Sequence, residues 1–131
     1  MTLSDNIQLQ IHHVSIIVSD TMKALRFYSG ILGLKTCERP DLPFPGAWLQ
    51  LGEHQIHLLE VPNPDRNEDR PEHGGLDRHT AFLVNDLDAV RQQLEQQDIY
   101  YTLSKSGRRA LFCRDPDGNA VELIQDLSVV N

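Results

Sequence analysis

His13-Val14-Ser15-Ile16-Ile17-Val18-Ser19-Asp20 and His79-Thr80-Ala81-Phe82-Leu83-Val84-Asn85-Asp86 share one plan, in which a histidine opens an apolar run that ends at an aspartate. Each stretch is β-branched and apolar with polar interruptions, the pattern of a strand buried on one face. The segments downstream of the two runs are also alike. Ser19, Asp20 and Thr21 offer a helix N-cap. From Met22, apolar residues recur at spacings of three and four through Leu25, Tyr28 and Leu32, and Gly33 supplies the left-handed position that ends a helix. After Asp86, Leu87, Val90 and Leu94 form a second helical stripe.

Downstream of the first helix, Leu34–Arg39 reads as a strand, and the three prolines from Pro40 to Pro45 force a loop. Ala47–Leu51 and Gln55–Glu60 read as a hairpin around Gly52-Glu53. In the second copy, strands fall near Tyr100–Leu103, Ala110–Arg114 and Ala120–Gln125, with Asp115-Pro116-Asp117-Gly118 as the last turn. The fold class is therefore α+β: two tandem βαβββ modules in a single domain spanning 1–131. Module one covers about 11–61, a charged, proline-bearing linker 62–75, and module two about 76–127. Modules this small would not stand alone, which argues for one shared core.

Strand alternation selects the candidate ligands. His13 shares a face with Ser15 and Ile17, and His12 falls on the other. His13 stands seven residues before Asp20, as His79 does before Asp86, so His13 is the repeat's choice and His12 a rim residue. The closing strands Ile56-His57-Leu58-Leu59 and Val121-Glu122-Leu123-Ile124 place His57 and Glu122 at the same step. His13, His57, His79 and Glu122 thus form two pseudo-equivalent pairs, which points to one shared site. Imidazoles with one carboxylate suit one divalent transition metal, Zn²⁺, Ni²⁺ or Fe²⁺, at roughly 2.0–2.2 Å per bond, whereas Ca²⁺ calls for more oxygen. Glu122 is also the candidate catalytic base or acid. His54 and His73 read as solvated loop residues, and Glu60 falls on the opposite face from His57. His57 itself is either a ligand or a residue behind one.

Other residues mark a substrate pocket. Phe44 and Trp48 could wall it or pack in the core. Lys105, Arg108 and Arg109 form either an anion clamp or a solvated basic turn. The formal charge of −7, from 12 basic and 19 acidic residues with no basic block, gives no footprint for nucleic acid. Apolar runs are too short for a membrane span, and Met1–Gln10 has neither a basic start nor an apolar core, so a cytoplasmic location is expected. Two cysteines, Cys37 and Cys113, are too few for a disulfide framework and read as ordinary thiols.

The repeated βαβββ unit, with Ala24-Leu25-Arg26-Phe27-Tyr28-Ser29-Gly30-Ile31-Leu32-Gly33-Leu34 and Asp115-Pro116-Asp117-Gly118-Asn119-Ala120-Val121-Glu122-Leu123-Ile124, resembles the vicinal oxygen chelate superfamily. That group includes glyoxalase I, fosfomycin-resistance thiol transferases, extradiol dioxygenases and bleomycin-binding proteins. The resemblance implies an open, cup-shaped mixed sheet with helices outside, a divalent ion held on the first and fourth strands of the modules, and a homodimer whose modules complete each site. By position those ligands become His13, His57, His79 and Glu122. Two departures stand out: glyoxalase I usually has a carboxylate where this chain has His57, and an arginine where it has Ile17. The expected activity is a metal-dependent lyase or isomerase acting on a small oxygen-chelating substrate. The alternatives are an iron dioxygenase using His13, His79 and Glu122, a fosfomycin-type thiol transferase, and a non-catalytic small-molecule binder.

Overall fold

A computed structural model describes residues 6–128. Met1–Asp5 and 129–131, which belong to the single domain read from the sequence, lie outside the described residues. Module one comprises β1 (His13–Val18), α1 (Thr21–Leu25), β2 (Lys35–Cys37), β3 (Gly46–Leu51) and β4 (His54–Glu60). Module two comprises β5 (His79–Val84), α2 (Leu87–Gln96), β6 (Tyr101–Leu103), β7 (Ala110–Arg114) and β8 (Ala120–Gln125). The sheets have the same order, β1-β4-β3-β2 and β5-β8-β7-β6, with the first strand parallel to the fourth and the other pairings antiparallel. This is the expected α+β arrangement of two tandem βαβββ modules with open mixed sheets.

Alternation assigns the two faces of each sheet. Ile16, Val18, Ile56, Leu58, Phe82, Val121 and Leu123 are buried in one core with the helical residues Ala24, Phe27, Leu87, Val90 and Leu94. Each of these side chains larger than alanine contributes roughly 1.5–3 kcal/mol by leaving water. His13, Ser15, Ala81 and Leu83 stand on the opposite, open face and are exposed.

The helix of module one departs from the expected 3.6-residue stripe. After Leu25 it widens into a π-helical turn over Arg26–Ile31, Met22 is exposed, and the adjacent residues Phe27 and Tyr28 are both buried. Consecutive residues of an α-helix diverge too far to share a face, and the wider turn relieves that constraint. Gly33 comes next with φ +79°, as a helix-ending glycine should. The strand after it is shorter than Leu34–Arg39, because Pro40 and the loop beyond it prevent further pairing.

Both helices are capped by the same double device. Asp20 accepts from the Lys23 amide and Asp86 from the Ala89 amide, each at 3.1 Å. The last residue of each fourth strand adds a second acceptor: Glu60 takes the Thr21 amide at 2.8 Å, and Gln125 the Leu87 amide at 2.9 Å. Glu60 therefore lies on the face opposite His57, as expected, and serves as a helix cap.

The Asp115–Asn119 turn joins the modules. The Tyr28 hydroxyl donates to Asp115 at 2.7 Å, the Asn119 side chain donates to the Ile17 carbonyl at 3.1 Å, and Asp117 accepts the Ser19 amide at 3.1 Å. Asp115 also accepts the backbone amides of Asp117 and Asn119. Burial outweighs these donors and raises its carboxyl above the ordinary range.

Candidate metal centre

Sheet register places the site residues in matching rows. Cys37, Trp48, His57 and Ser15 are cross-strand neighbours in module one, and Thr102, Phe112, Glu122 and Ala81 are their counterparts in module two. The sequence equivalence of His57 and Glu122 is thus also an equivalence of sheet position.

In module two, His79 Nε2 lies 3.3 Å from Glu122 Oε1. His79 Nδ1 lies 2.9 Å from the Asp77 carbonyl, an acceptor that requires a proton on Nδ1, so in the neutral ring the lone pair is on Nε2. A carbonyl behind a histidine in this way is the arrangement that orients metal ligands. Glu122 is only 2% exposed, and Phe112 packs edge-on to His79. Its second oxygen, Oε2, accepts from Arg108 at 3.2 Å. Arg108 is delivered by the turn between β6 and β7, where Ser106 accepts the Arg108 amide and Gly107 takes φ +88°.

Asp77 is itself clamped, by Arg114 at 2.8 Å and Arg70 at 3.1 Å. Burial opposes its ionisation, but the bond from Arg114, the Arg78 amide and the charge of Arg70 together hold the carboxyl below its ordinary range. Arg114 also donates to the Pro71 carbonyl, so the end of the linker is fixed just ahead of His79.

In module one, His57 is sandwiched. Its ring stacks on Trp48 at 4.0 Å and on His13 at 3.9 Å, with interplanar angles of 1° and 15°. His57 Nε2 lies 2.8 Å from Gln55 Oε1, and His13 Nδ1 lies 2.8 Å from His12 Nδ1. Burial first, then the neighbouring His13 and His12, lowers the His57 pKa and favours the neutral ring. A neutral imidazole is the form that coordinates a metal.

The structure therefore gathers His13, His57 and Trp48 in one half, and His79, Glu122 and Arg108 in the other. Among the described residues no three His, Cys, Asp or Glu side chains stand together as a metal-holding group. The donor set nevertheless fits a divalent transition ion: three imidazoles and a carboxylate, one imidazole already oriented by a carbonyl. A cavity of about 340 Å³ lies between β1 and β5, with His79 and Asp77 in its wall.

Of the remaining candidates, Arg109 turns to Asp88 at the start of α2 and to Gln125 at the end of β8. Phe44 lies beneath the Arg39 guanidinium, 5.3 Å from its ring centre. Lys105 is exposed on the same turn as Arg108. The two histidines read as solvated are both bonded: His54 to the Ile11 carbonyl, and His73 to Thr102 at 2.7 Å while edge-on to Phe112. Cys113 is buried, and its thiol is pushed up to about 12 by burial and by Asp115, so it is no nucleophile. Sequence reasoning missed Gln50, Gln55 and Asp77. Gln55 alone had a signal, being two residues before His57 on the same face.

Residues 10–123 match the model of the Glyoxalase/Bleomycin resistance protein/Dioxygenase superfamily, and the chain belongs to that family. It is 36% identical over 123 residues to the uncharacterised protein YwkD of Bacillus subtilis, covering 88% of this chain and 95% of that protein. It is 31% identical over 119 residues to Glyoxylase I 4 of Arabidopsis thaliana, covering 86% of this chain and 68% of that one. Its fold is shared with a glyoxalase family protein of Bacillus anthracis, at a TM-score of 0.74 and 22% identity, covering 94% of this chain and 99% of the other. No described helix is long and apolar enough to cross a membrane.

Proposed function

We propose that this protein is a divalent-metal-dependent enzyme of the glyoxalase type, a lyase or isomerase that moves a proton beside a carbonyl of a small oxygen-chelating substrate. The observation that carries this reading is the His79–Glu122 pair, in which a carbonyl-oriented imidazole aims Nε2 at a buried carboxylate. His13, His79 and Glu122 would hold the ion with His57, and a transition metal such as Zn²⁺, Ni²⁺ or Fe²⁺ suits those donors. When bound, such an ion supplies Lewis-acid stabilisation of substrate oxygens on which negative charge develops.

The remaining work falls to the chain. Glu122 takes the proton from the carbon that bears the hydroxyl and returns it to the neighbouring carbonyl carbon, while the hydroxyl proton passes to the former carbonyl oxygen, so that hydroxyl and carbonyl exchange places. Arg108, bonded to Oε2, keeps one carboxylate oxygen occupied and stands ready to bind an anionic group of the substrate, with Lys105 on the same turn. Trp48 offers a flat apolar wall beside His57. Thiohemiacetals of 2-oxoaldehydes, which carry the required hydroxyl next to a carbonyl, are the first substrate class to screen.

Because one chain keeps the two donor pairs apart, a homodimer in which module one of one copy faces module two of the other supplies the complete set. The test is the metal content of protein purified without chelators, beside His79→Ala from the same preparation. Close to one transition-metal ion per chain, lost in the variant, is expected. No metal in either, even after reconstitution, would overturn the metalloenzyme reading. Glu122→Gln that kept full activity would remove the proton-transfer role.

A further inference from the structure

The β3–β4 hairpin carries a one-way chain of hydrogen bonds that ends on His57. Gln50 and Gln55 are direct cross-strand partners, and Gln55 shares the open face with His57 two residues on. At the start of the chain, Gln50 Nε2 donates to the backbone carbonyls of Gly52 at 2.7 Å and His54 at 3.3 Å. Carbonyls only accept, so the nitrogen end of the Gln50 amide is fixed there, and its oxygen must point the other way. That oxygen accepts from Gln55 Nε2 at 3.0 Å. Gln55 is thereby left with its own oxygen toward His57, where Oε1 meets Nε2 at 2.8 Å. An amide oxygen cannot donate, so the proton of the neutral imidazole resides on Nε2 and the lone pair on Nδ1. The turn that starts the chain depends on Gly52, whose φ of +58° sets the carbonyl that Gln50 reaches.

We propose that Gln50 and Gln55 are positioning residues that lock His57 as its Nε2–H tautomer, so that Nδ1 is the nitrogen whose lone pair His57 offers to the ion or to a substrate hydroxyl. The assignment of a use to Nδ1 rests on the metalloenzyme reading of the site, whereas the lock itself does not. Trp48 and His13 hold the plane of the ring, and the two glutamines choose which edge of it carries the lone pair. His79 is held in the opposite sense, with Nδ1 protonated onto the Asp77 carbonyl and Nε2 turned toward Glu122 Oε1 at 3.3 Å. The two modules thus present opposite imidazole nitrogens to the centre. Equivalent steps of the two closing strands carry residues of different length and donor geometry, and the hairpin of module one adapts His57 to its place.

The test is long-range ¹H–¹⁵N NMR of the histidine side chains in metal-free protein, at a pH where the rings are neutral, with His57 assigned by the loss of its signals in His57→Asn. The wild-type ring should show an unprotonated Nδ1 and a protonated Nε2. Gln55→Leu should lose that pattern, and Gln50→Leu, at an exposed position more tolerant of change, should weaken it by freeing the Gln55 amide to turn. Gln55→Glu retains an acceptor for Nε2 and should restore the pattern. A companion Zn²⁺ competition titration should show Kd raised roughly 10–100-fold in Gln55→Leu, the usual effect of losing a residue that orients a ligand, and recovered in Gln55→Glu. A wild-type His57 protonated on Nδ1, or a pattern unchanged in both leucine variants, would overturn the lock. The expected tautomer with no Zn²⁺ binding in wild type would uphold the lock and overturn the metal reading.

Discussion

Replacing Tyr28 by Phe tests the joint that sets one module against the other. Tyr28 is fully buried, and its hydroxyl reaches across 87 positions of sequence to Asp115 Oδ2 at 2.7 Å. The substitution removes one oxygen and keeps the ring, which packs edge-on to Phe27 at 4.9 Å, so no sizeable cavity opens. What is lost is a hydrogen bond to a buried carboxylate. Oδ2 then keeps only the Asn119 side chain at 2.8 Å, while Oδ1 keeps its two backbone amides. A hydrogen bond to a charged group contributes about 1.5–3 kcal/mol, and leaving its buried partner short of a donor places this case within that range. At this chain length a kcal/mol moves the melting temperature by roughly 4 °C, so Tyr28→Phe should melt about 6–12 °C lower. Equilibrium urea unfolding at one fixed protein concentration is the assay, since self-association would make stability concentration-dependent. The midpoint should fall with m unchanged. A double-mutant cycle with Asp115→Asn should return a coupling of about 1 kcal/mol or more. A loss below about 0.5 kcal/mol for the single variant, within the range of an ordinary surface change, would refute the claim that this bond joins the modules.

The same geometry sets three further outcomes. Because the folded pKa of Asp115 is raised, the unfolded chain gives up that proton first as pH rises. The stability of wild type relative to Asp115→Asn should therefore fall from about pH 4 up through the raised folded value and then level off; parallel denaturation curves across that window would contradict it. Arg108→Ala should raise KM for an anionic substrate on the order of tenfold, the loss of one charge-assisted hydrogen bond, and an unchanged KM in steady-state kinetics would remove Arg108 from substrate binding. Gly46→Ala would drive a Cβ into the Leu58 carbonyl oxygen, so β3 must move away from β4. Thermal melting should show a loss on the order of 1–3 kcal/mol, typical of overpacking, and a wild-type melting curve would be inconsistent with this approach of the two strands.

The strands of module two were legible almost residue by residue: His79–Val84, Ala110–Arg114 and Ala120–Gln125 occupy the positions that alternation and turn chemistry gave them. Short runs bounded by Asp-Pro-Asp-Gly or by a capping aspartate leave little choice of register. The π-helical turn was not legible, because the apolar residues from Met22 to Leu32 fit a 3.6-residue stripe nearly as well. Only the packing of Phe27 and Tyr28 together decides for the wider turn. The pairing of His57 with Glu122 was readable from the repeat. The surroundings of each were not, because a stack on Trp48 or a bond to Arg108 depends on rotamers and on the path of a turn. Arg108 and Arg109 are adjacent in sequence, yet one reaches Glu122 and the other Asp88, the divergence expected of consecutive side chains on extended backbone leading into β7.

The two halves of the candidate centre hold one geometry with different chemistry. Rows across both sheets match position for position, with an aromatic residue on the third strand beside the donor on the fourth. On that common frame module one builds a neutral element, an imidazole stacked between two rings and locked by two amides. Module two builds a charged one, a carboxylate between an imidazole and a guanidinium. A site completed from two like halves would offer the same chemistry to both sides of a ligand. A site completed from these unlike halves gives a carboxylate that can accept a proton on one side only, facing the His57 imidazole, whose neutral form burial favours. That polarity suits a proton transfer between adjacent carbons in which one base takes and returns the proton while the oxygens are held from elsewhere. The replacement of a second carboxylate by His57 is therefore the feature that leaves Glu122 as the sole carboxylate at the proposed centre.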